Sequence, residues 1–242
     1  MSKTNWFKKT NPIIYSDEFI QIDAFHKENG KHLSISVQSE QDFETFVSSH
    51  KSEYNIFYSA GLTDGNGRKT ENIVGANIIF LDFDFKEYAK PPIEQFTSDL
   101  QERLNLFFFQ IVDSGHGYHI YIAIDHTTDI QRWNDLTKEL AEIYEADSKA
   151  ALPTQLMRAP GSLNWKNSDN PVSVNVIFSS DCDRYSLDKL ERLIERSKQE
   201  KSFEKYCDVK PCIEKMLNGV DKGDRNFALG RLIYNFRYII SD

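Results

Sequence analysis

The sequence lacks the features of a secreted or membrane-inserted protein. Only three of its 242 residues are cysteines, and their odd number and spacing match neither a disulfide framework nor a common zinc pattern. No window approaches the ~20 apolar residues of a membrane span, and the N-terminal stretch has no apolar centre of the kind found in signal peptides. These absences predict a cytoplasmic protein with no membrane partner.

Positive charge is also scarce. Lysine and arginine number 29 against 37 aspartates and glutamates, which gives a formal net charge of −8. Phosphate binding rests on positive charge, so this total argues mildly against a nucleic-acid partner, although a local basic groove can lie on an acidic body. With 40% hydrophobic and 13% aromatic residues, the chain can form a folded core.

Apolar periodicity predicts a mixture of helices and strands. Apolar residues recur at helical spacing in some segments and alternate or run continuously in others, as buried strands do. Strands are predicted at residues 54–61, 77–85, 106–113, 119–125 and 172–178, and helices at 40–49, 91–104, 129–145 and 186–200.

Two aspartates interrupt an apolar stretch, NIIFLDFDFKE, at residues 77–87. Residues two apart in a strand point to the same side, so Asp82 and Asp84 share a face with Phe80. Two carboxylates that project into one cleft repel each other unless a cation lies between them, and oxygen ligands suit Mg²⁺ or Mn²⁺. The alternative is a strand end at which both aspartates are simply hydrated.

A glycine-rich turn, DSGHGYHIY, follows at residues 113–121 and joins two apolar stretches, which predicts a β-hairpin. Backbone N–H groups at Gly115 and Gly117, the Ser114 hydroxyl and His119 can together bind phosphate oxygens. An ordinary hairpin turn with surface histidines is the alternative.

A third polar segment, LMRAPGSLNWK, occupies residues 156–166. Arg158 and Lys166 are its cations, and Asn164 and Trp165 lie beside the lysine. Such side chains in a rigid loop can bind phosphates and stack on a base. Taken alone, the segment also fits a loop with incidental charges.

In this order, LDFD, SGHGYH and RAPGSLNWK resemble the signature of the archaeo-eukaryotic primase superfamily, specifically the primase-polymerases of plasmids, phages and related mobile elements. The family pattern is DxD, then SGxGxH, then R-x-P-G-[ST]-x-N-x-K. The resemblance covers roughly residues 50–180. It implies an α+β fold in which an RRM-like sheet unit lies beside a second α/β unit, with the active site between them.

The resemblance also implies the role of each motif in nucleotidyl transfer. Asp82 and Asp84 would hold two Mg²⁺ or Mn²⁺ ions. The phosphates of the incoming nucleoside triphosphate would be held by Ser114, the amides near Gly115 and Gly117, and His119, which is also assigned to the catalytic set. Arg158 and Lys166 would contact the nucleotide or the template.

The chain departs from the family at one position. The family commonly has a third carboxylate six residues before the arginine, and Leu152 occupies that position here. Asp147, 11 residues before Arg158, is the candidate for a third metal ligand, and Asp113 of the hairpin is the alternative.

The C-terminal segment resembles a helical module found beside such catalytic domains. We therefore predict a catalytic domain at residues 1–200 and a helical primase C-terminal-like module at 201–242, with a replicative helicase domain or protein as a candidate partner. The residues assigned to the template or the initiating nucleotide are Asn164, Lys222, Arg225 and Asn226.

The sequence thus predicts a DNA-dependent primase-polymerase that starts and extends primers on a single-stranded template. Two alternatives stay open at this point. One is a metal-dependent nuclease or replication initiator. The other is a single-strand nucleic-acid binder without catalytic activity, which the leucine at position 152 makes conceivable.

Overall fold

The computed structural model describes residues 7, 10, 11, 14–85, 90–101, 106, 108–181 and 183–207. Residues 1–194 form one compact unit, and residues 195–242 form a second. The predicted helical module lies almost wholly outside the described residues. Within the described part, no helix is long and apolar enough to cross a membrane.

The first unit contains both strands and helices, as the periodicity predicted, although the strands at residues 20–26, 32–37 and 156–158 were not predicted. The strands are β1 (Ile20–His26), β2 (His32–Val37), β3 (Tyr54–Ser59), β4 (Leu62–Thr63), β5 (Ile73–Asp84), β6 (Gln110–Asp113), β7 (Gly117–Thr127), β8 (Leu156–Arg158), β9 (Leu163–Asn164), β10 (Val172–Ser173) and β11 (Asn175–Ser179). The helices with described bounds are α1 (Glu40–His50), α2 (Ile93–Gln101), α3 (Ile130–Tyr144) and α4 (Leu187–Cys207).

Two antiparallel sheets organise these strands. The small sheet has the order β2-β1-β3-β8, and the large sheet has the order β11-β6-β7-β5-β4. Strands β9 and β10 form a separate antiparallel pair. The predicted α+β class is confirmed.

Polar side chains begin the helices. The Ser39 hydroxyl accepts a hydrogen bond from the backbone of Asp42 at the start of α1, and Asp129 caps α3 in the same way. Ser186, the residue before α4, accepts from the Lys189 N–H. These contacts satisfy N–H groups that have no partner inside the helix.

A buried hydroxyl pair connects the two sheets. Tyr58 of β3 donates a 2.8 Å hydrogen bond to the Tyr121 hydroxyl of β7, and both rings are almost fully buried. Burial raises the pKa of each phenol well above its usual range, so both keep their protons. On the large sheet, the buried Trp133 of α3 donates to the Ile78 carbonyl at 2.7 Å.

The predicted strand at residues 106–113 is too long. Only Gln110–Asp113 form β6, while Leu106 and Phe108 are buried in the core without belonging to a strand. The segment predicted as one strand at 172–178 forms two short strands, β10 and β11. The helix predicted at 186–200 continues to Cys207.

The close approach of β5 and β7 depends on Gly117. A Cβ atom at this position would lie 1.9 Å from the Phe83 carbonyl oxygen, so no side chain fits unless the strands separate. We expect Gly117→Ala to lower the free energy of unfolding by about 1–3 kcal/mol, because the added methyl overpacks the strand pair. Urea unfolding followed by circular dichroism would measure the change.

Gly30→Asn is the matched control for that substitution. Gly30 has a φ of 67°, and a Cβ atom added there would meet no other atom within 4 Å. Asparagine tolerates this backbone region. The stability of Gly30→Asn should stay within about 0.5 kcal/mol of wild type. An unchanged unfolding midpoint for Gly117→Ala would contradict the proposed close approach.

Candidate active site

Asp82, Asp84 and His119 lie at one end of the large sheet. The register of β5 and β7 pairs Asp82 with His119 and Asp84 with Gly117, so all of these positions share one face. Exposure rises along β5 from the buried Phe80 to the exposed Asp84. The strand therefore leaves the core at its two aspartates, as the sequence predicted.

His119 is a buried neighbour of Asp82. Its Nε2 lies 3.7 Å from Asp82 Oδ1. Burial lowers the pKa of His119 below its usual value, although Asp82 opposes this effect. The Tyr121 hydroxyl lies 3.4 Å from Nδ1 and itself accepts from Tyr58. The Tyr121 hydroxyl can therefore donate a hydrogen bond to Nδ1. In the neutral ring the single N–H is then on Nε2, facing Asp82.

The Asp113 side chain stabilises the glycine turn. Its carboxylate accepts the Gly115 N–H at 2.8 Å and binds Lys90 Nζ at 2.7 Å. Gly115 has a φ of 97°, a conformation that favours glycine. The amide of Gly115, predicted to bind phosphate, is thus engaged by Asp113 in this structure, and the buried Ser114 lies between the two.

Arg158 comes from β8 of the small sheet, and its charge acts on that of His119, Asp82 and Asp84. Its guanidinium lies 4.7 Å from the centre of the Phe57 ring, and Nη1 donates to Asn55 Oδ1 at 3.0 Å. Burial lowers the pKa of Arg158 to about 10, while the charges of Asp82 and Asp84 act in the opposite direction. Arg158 therefore stays protonated at neutral pH within the electrostatic reach of both aspartates.

Asn164 is a structural link between two motifs. Its side chain is 2% exposed; Nδ2 donates to the Ser114 carbonyl at 2.7 Å, and Oδ1 accepts the Lys166 N–H at 3.0 Å. This buried position does not support its predicted contact with template DNA. The Lys166 side chain is exposed.

Asp147, the candidate for a third metal ligand, is next to Asp82 through its backbone. Asp147 lies beside β5, because its N–H donates to the Asp82 carbonyl at 2.8 Å, but its carboxylate is exposed and accepts from the Lys149 N–H. Leu152 is 44% exposed. Across the described residues, no three His, Cys, Asp or Glu side chains come close enough together to hold a metal ion.

The donors at the end of β5 nevertheless fit Mg²⁺ or Mn²⁺. Asp82 and Asp84 project from the same face, and the Asp82 side chain is 24% exposed. Two carboxylates in reach of solvent are the ligand type that such ions take, usually together with substrate phosphates. Asp82 and Asp84 are the residues that would hold the ions.

Sequence reasoning missed several residues that shape the site. Asn55 Oδ1 accepts both from Arg158 and from the Trp165 N–H at 2.9 Å, so it orders the whole third motif. Lys90 neutralises Asp113, and Tyr121 orients His119. Asn55 and Lys90 lie outside the three motif segments, and Tyr121 ends the second one, where only the structure shows its contact with His119. Lys222, Arg225 and Asn226 lie outside the described residues.

Asn164→Ala tests the link between the second and third motifs. We expect a loss of about 1–3 kcal/mol in the free energy of unfolding, because the buried Ser114 carbonyl loses its donor. Thermal and urea unfolding would measure it. Asn167→Ala, in the exposed part of the same loop, is the control and should change stability by less than about 0.5 kcal/mol. Equal effects would exclude a specific role of Asn164.

Solved structures of primases share this fold. No family model matches the sequence, and no curated protein matches it significantly. The AEP (archaeo-eukaryotic primase) domain of the cyanophage S-2L primase-polymerase is 16% identical, with a TM-score of 0.57 over 73% of this chain and 89% of that chain. Primase RepB′ is 12% identical, with a TM-score of 0.55 over 86% of this chain and 65% of that one.

The catalytic domain of RepB′ has also been solved in complex with initiator DNA. It is 13% identical, with a TM-score of 0.52 over 78% of this chain and 90% of that chain. At sequence identities this low, the structural similarity establishes the fold alone. The described part of this chain has the fold of the archaeo-eukaryotic primase catalytic domain, as its three ordered motifs predicted.

Proposed function

We propose that this protein is a DNA-dependent primase-polymerase, a nucleotidyltransferase that starts and extends primers on single-stranded DNA. The observation that carries the proposal is the convergence of Asp82, Asp84 and His119 from the large sheet with Arg158 from the small sheet. Paired carboxylates next to phosphate-binding donors are what nucleotidyl transfer requires.

Each side chain has a distinct task in the proposed reaction. The primer 3′-hydroxyl oxygen bonds to the α-phosphorus, the bond to pyrophosphate breaks, and the hydroxyl proton passes to solvent. His119 donates from Nε2 to a phosphate oxygen, and Arg158 neutralises charge on the transferring group. Mg²⁺ or Mn²⁺ bound at Asp82 and Asp84 would supply activation of the hydroxyl and stabilisation of the leaving group.

Phosphate binding beyond His119 is assigned to the second and third motifs. The Gly117 backbone pairs with Asp84 at the end of β5, and the Ser114 N–H donates to the Gly117 carbonyl, so this turn and the Ser114 hydroxyl are assigned to the triphosphate. Lys166 follows the turn after Arg158 and is exposed. A flexible lysine of this kind can reach phosphates as a point charge.

Asp82→Asn and Asp84→Asn test the metal-binding role. We expect each variant to lose primer synthesis and extension on single-stranded DNA by at least about 100-fold with Mg²⁺ or Mn²⁺, because the amide neither carries the negative charge nor holds the cation. Incorporation of labelled nucleotide would be measured. Asp135→Asn on the exposed side of α3 is the control, with wild-type activity expected.

The same assay separates the alternative functions. Product from Asp82→Asn equal to wild type would contradict the mechanism. Cleavage of labelled DNA without nucleotides would favour a nuclease. DNA binding with no metal-dependent nucleotide binding in calorimetry would favour a non-catalytic binder.

We further propose that Asp147 is the third metal ligand in the presence of nucleotide. Its backbone is hydrogen-bonded to Asp82, so a rotation of its exposed carboxylate is the smallest change that brings a third oxygen donor toward the pair. Asp147→Asn should raise the Mn²⁺ concentration needed for half-maximal activity by about tenfold. An unchanged Mn²⁺ requirement, equal to that of Asp135→Asn, would contradict this role.

A further inference from the structure

One face of the small sheet carries a row of side chains that begins at the candidate active site. The register pairs Ser34 with Asp23, Asp23 with Phe57, and Phe57 with Arg158. Directly paired residues of antiparallel strands point to the same side. The row therefore crosses all four strands, from β2 to β8, on a single face of the sheet.

Aromatic rings lie in this row and beside it on the two central strands. Phe25 of β1 and Phe57 of β3 contact each other at 6.0 Å between ring centres. The His32 ring stacks on Phe25 at 4.8 Å with an interplanar angle of 10°, and Arg158 covers Phe57. Phe25, His32, Phe57 and Arg158 are called the aromatic strip below.

The aromatic strip is not part of the protein core. The opposite face of the same strands carries Ile22, Ile56 and Tyr58, which are 0–1% exposed, and Phe43 of α1 packs on that side against Tyr58. Phe25 and Phe57 are partly exposed, and the His32 side chain is 48% exposed. Core formation therefore does not account for these rings.

The polar groups beside the strip leave it without a net negative charge. The buried Asp23 carboxylate is bound by Arg68 at 2.8 Å, His32 at 2.6 Å and Ser34 at 2.7 Å. These residues line a cavity of about 640 Å³ that Lys69 and Glu71 also border, so its two lining cations balance its two carboxylates. Cations thus lie at both ends of the strip on a chain of net charge −8.

We propose that the aromatic strip binds the single-stranded DNA template, with bases stacked on Phe25 and Phe57. Open antiparallel sheets with aromatic side chains on their central strands bind two or three bases of single-stranded nucleic acid in this way. Stacking on aromatic rings tolerates any base, and neighbouring cations hold the phosphates. The inference rests on the proposed function, because it gives the template a path that ends at Arg158.

The length of the row favours a strand over a single nucleotide. Adjacent strands are separated by about 4.8 Å, so the path from β8 to β2 spans about 14 Å. That distance exceeds one base with its sugar. The base of the incoming nucleotide could occupy Phe57 alone, but it would not extend to Phe25, His32 and the cavity.

The test measures binding of fluorescein-labelled dT12 by anisotropy, with the full chain and without metal or nucleotide. Phe25→Leu should weaken binding roughly tenfold, because leucine removes the stacking surface and keeps most of the volume. Phe25→Tyr should bind like wild type. Phe178→Leu is the control, since Phe178 is also an exposed aromatic residue, 45% exposed, on β11 of the other sheet.

Two further measurements decide whether the aromatic strip binds single-stranded DNA or the base of the incoming nucleotide. Photo-cross-linking of dT12 that carries 5-iododeoxyuridine should label peptides that contain Phe25 or Phe57, which supports the proposal even if Phe25→Leu fails to fold. Cross-links found only elsewhere, or equal dT12 binding by Phe25→Leu and Phe178→Leu, would overturn it. Weaker binding of nucleotide with Mn²⁺ but unchanged dT12 binding would also overturn it in favour of the incoming base.

Asp82→Asn keeps this inference separate from the proposed function. This variant should bind dT12 like wild type and cross-link at the same peptides, although it makes no primers. If wild type binds DNA at the aromatic strip but never extends a primer, the proposed function is wrong, while DNA binding by the strip is supported. If wild type extends primers while Phe25→Leu binds and cross-links normally, only the strip is excluded.

Discussion

The pairing of β5 with β7 is the constraint on which the site depends. Side chains alternate between the faces of a strand, so a shift of one residue would turn Asp82 and Asp84 into the core and Phe83 out of it. The continuous pairing from Ile78 to Asp84 prevents that shift, because the apolar residues of both strands are buried together. The apolar residues that precede Asp82 and Asp84 therefore fix the position of the two carboxylates.

Side chains from distant parts of the chain then hold the motifs in place. Asn164 joins the third motif to the glycine turn, Asn55 holds Arg158 and Trp165, and Asp113 holds the turn itself. These hydrogen bonds lie where backbone groups would otherwise be buried without partners, which costs more than the bonds themselves contribute. The groups proposed to bind phosphate are thereby held in place, so little ordering would be left for a binding step.

The sequence was sufficient for the features that depend on local alternation. The shared face of Asp82 and Asp84 and the hairpin around Gly115 follow from period two and from turn chemistry, and both are present. The strand at 106–113 was predicted too long, because a buried apolar residue such as Leu106 needs no strand to be buried. The partnership of Asn55 with Arg158 could not be predicted, since 103 residues separate the two along the chain. Only the pairing of β3 with β8 brings them together.

The Tyr58–Tyr121 hydroxyl pair has a consequence for motion. It connects the two sheets at a place where both rings are almost fully buried. Sliding one sheet over the other would break this hydrogen bond, at a cost of about 1–3 kcal/mol. Relative sliding of the two sheets therefore costs free energy. Exposed side chains at the open end, such as those of Lys166 and Asp147, can move instead, while the two sheets would keep a fixed distance between the groups proposed to bind the nucleotide.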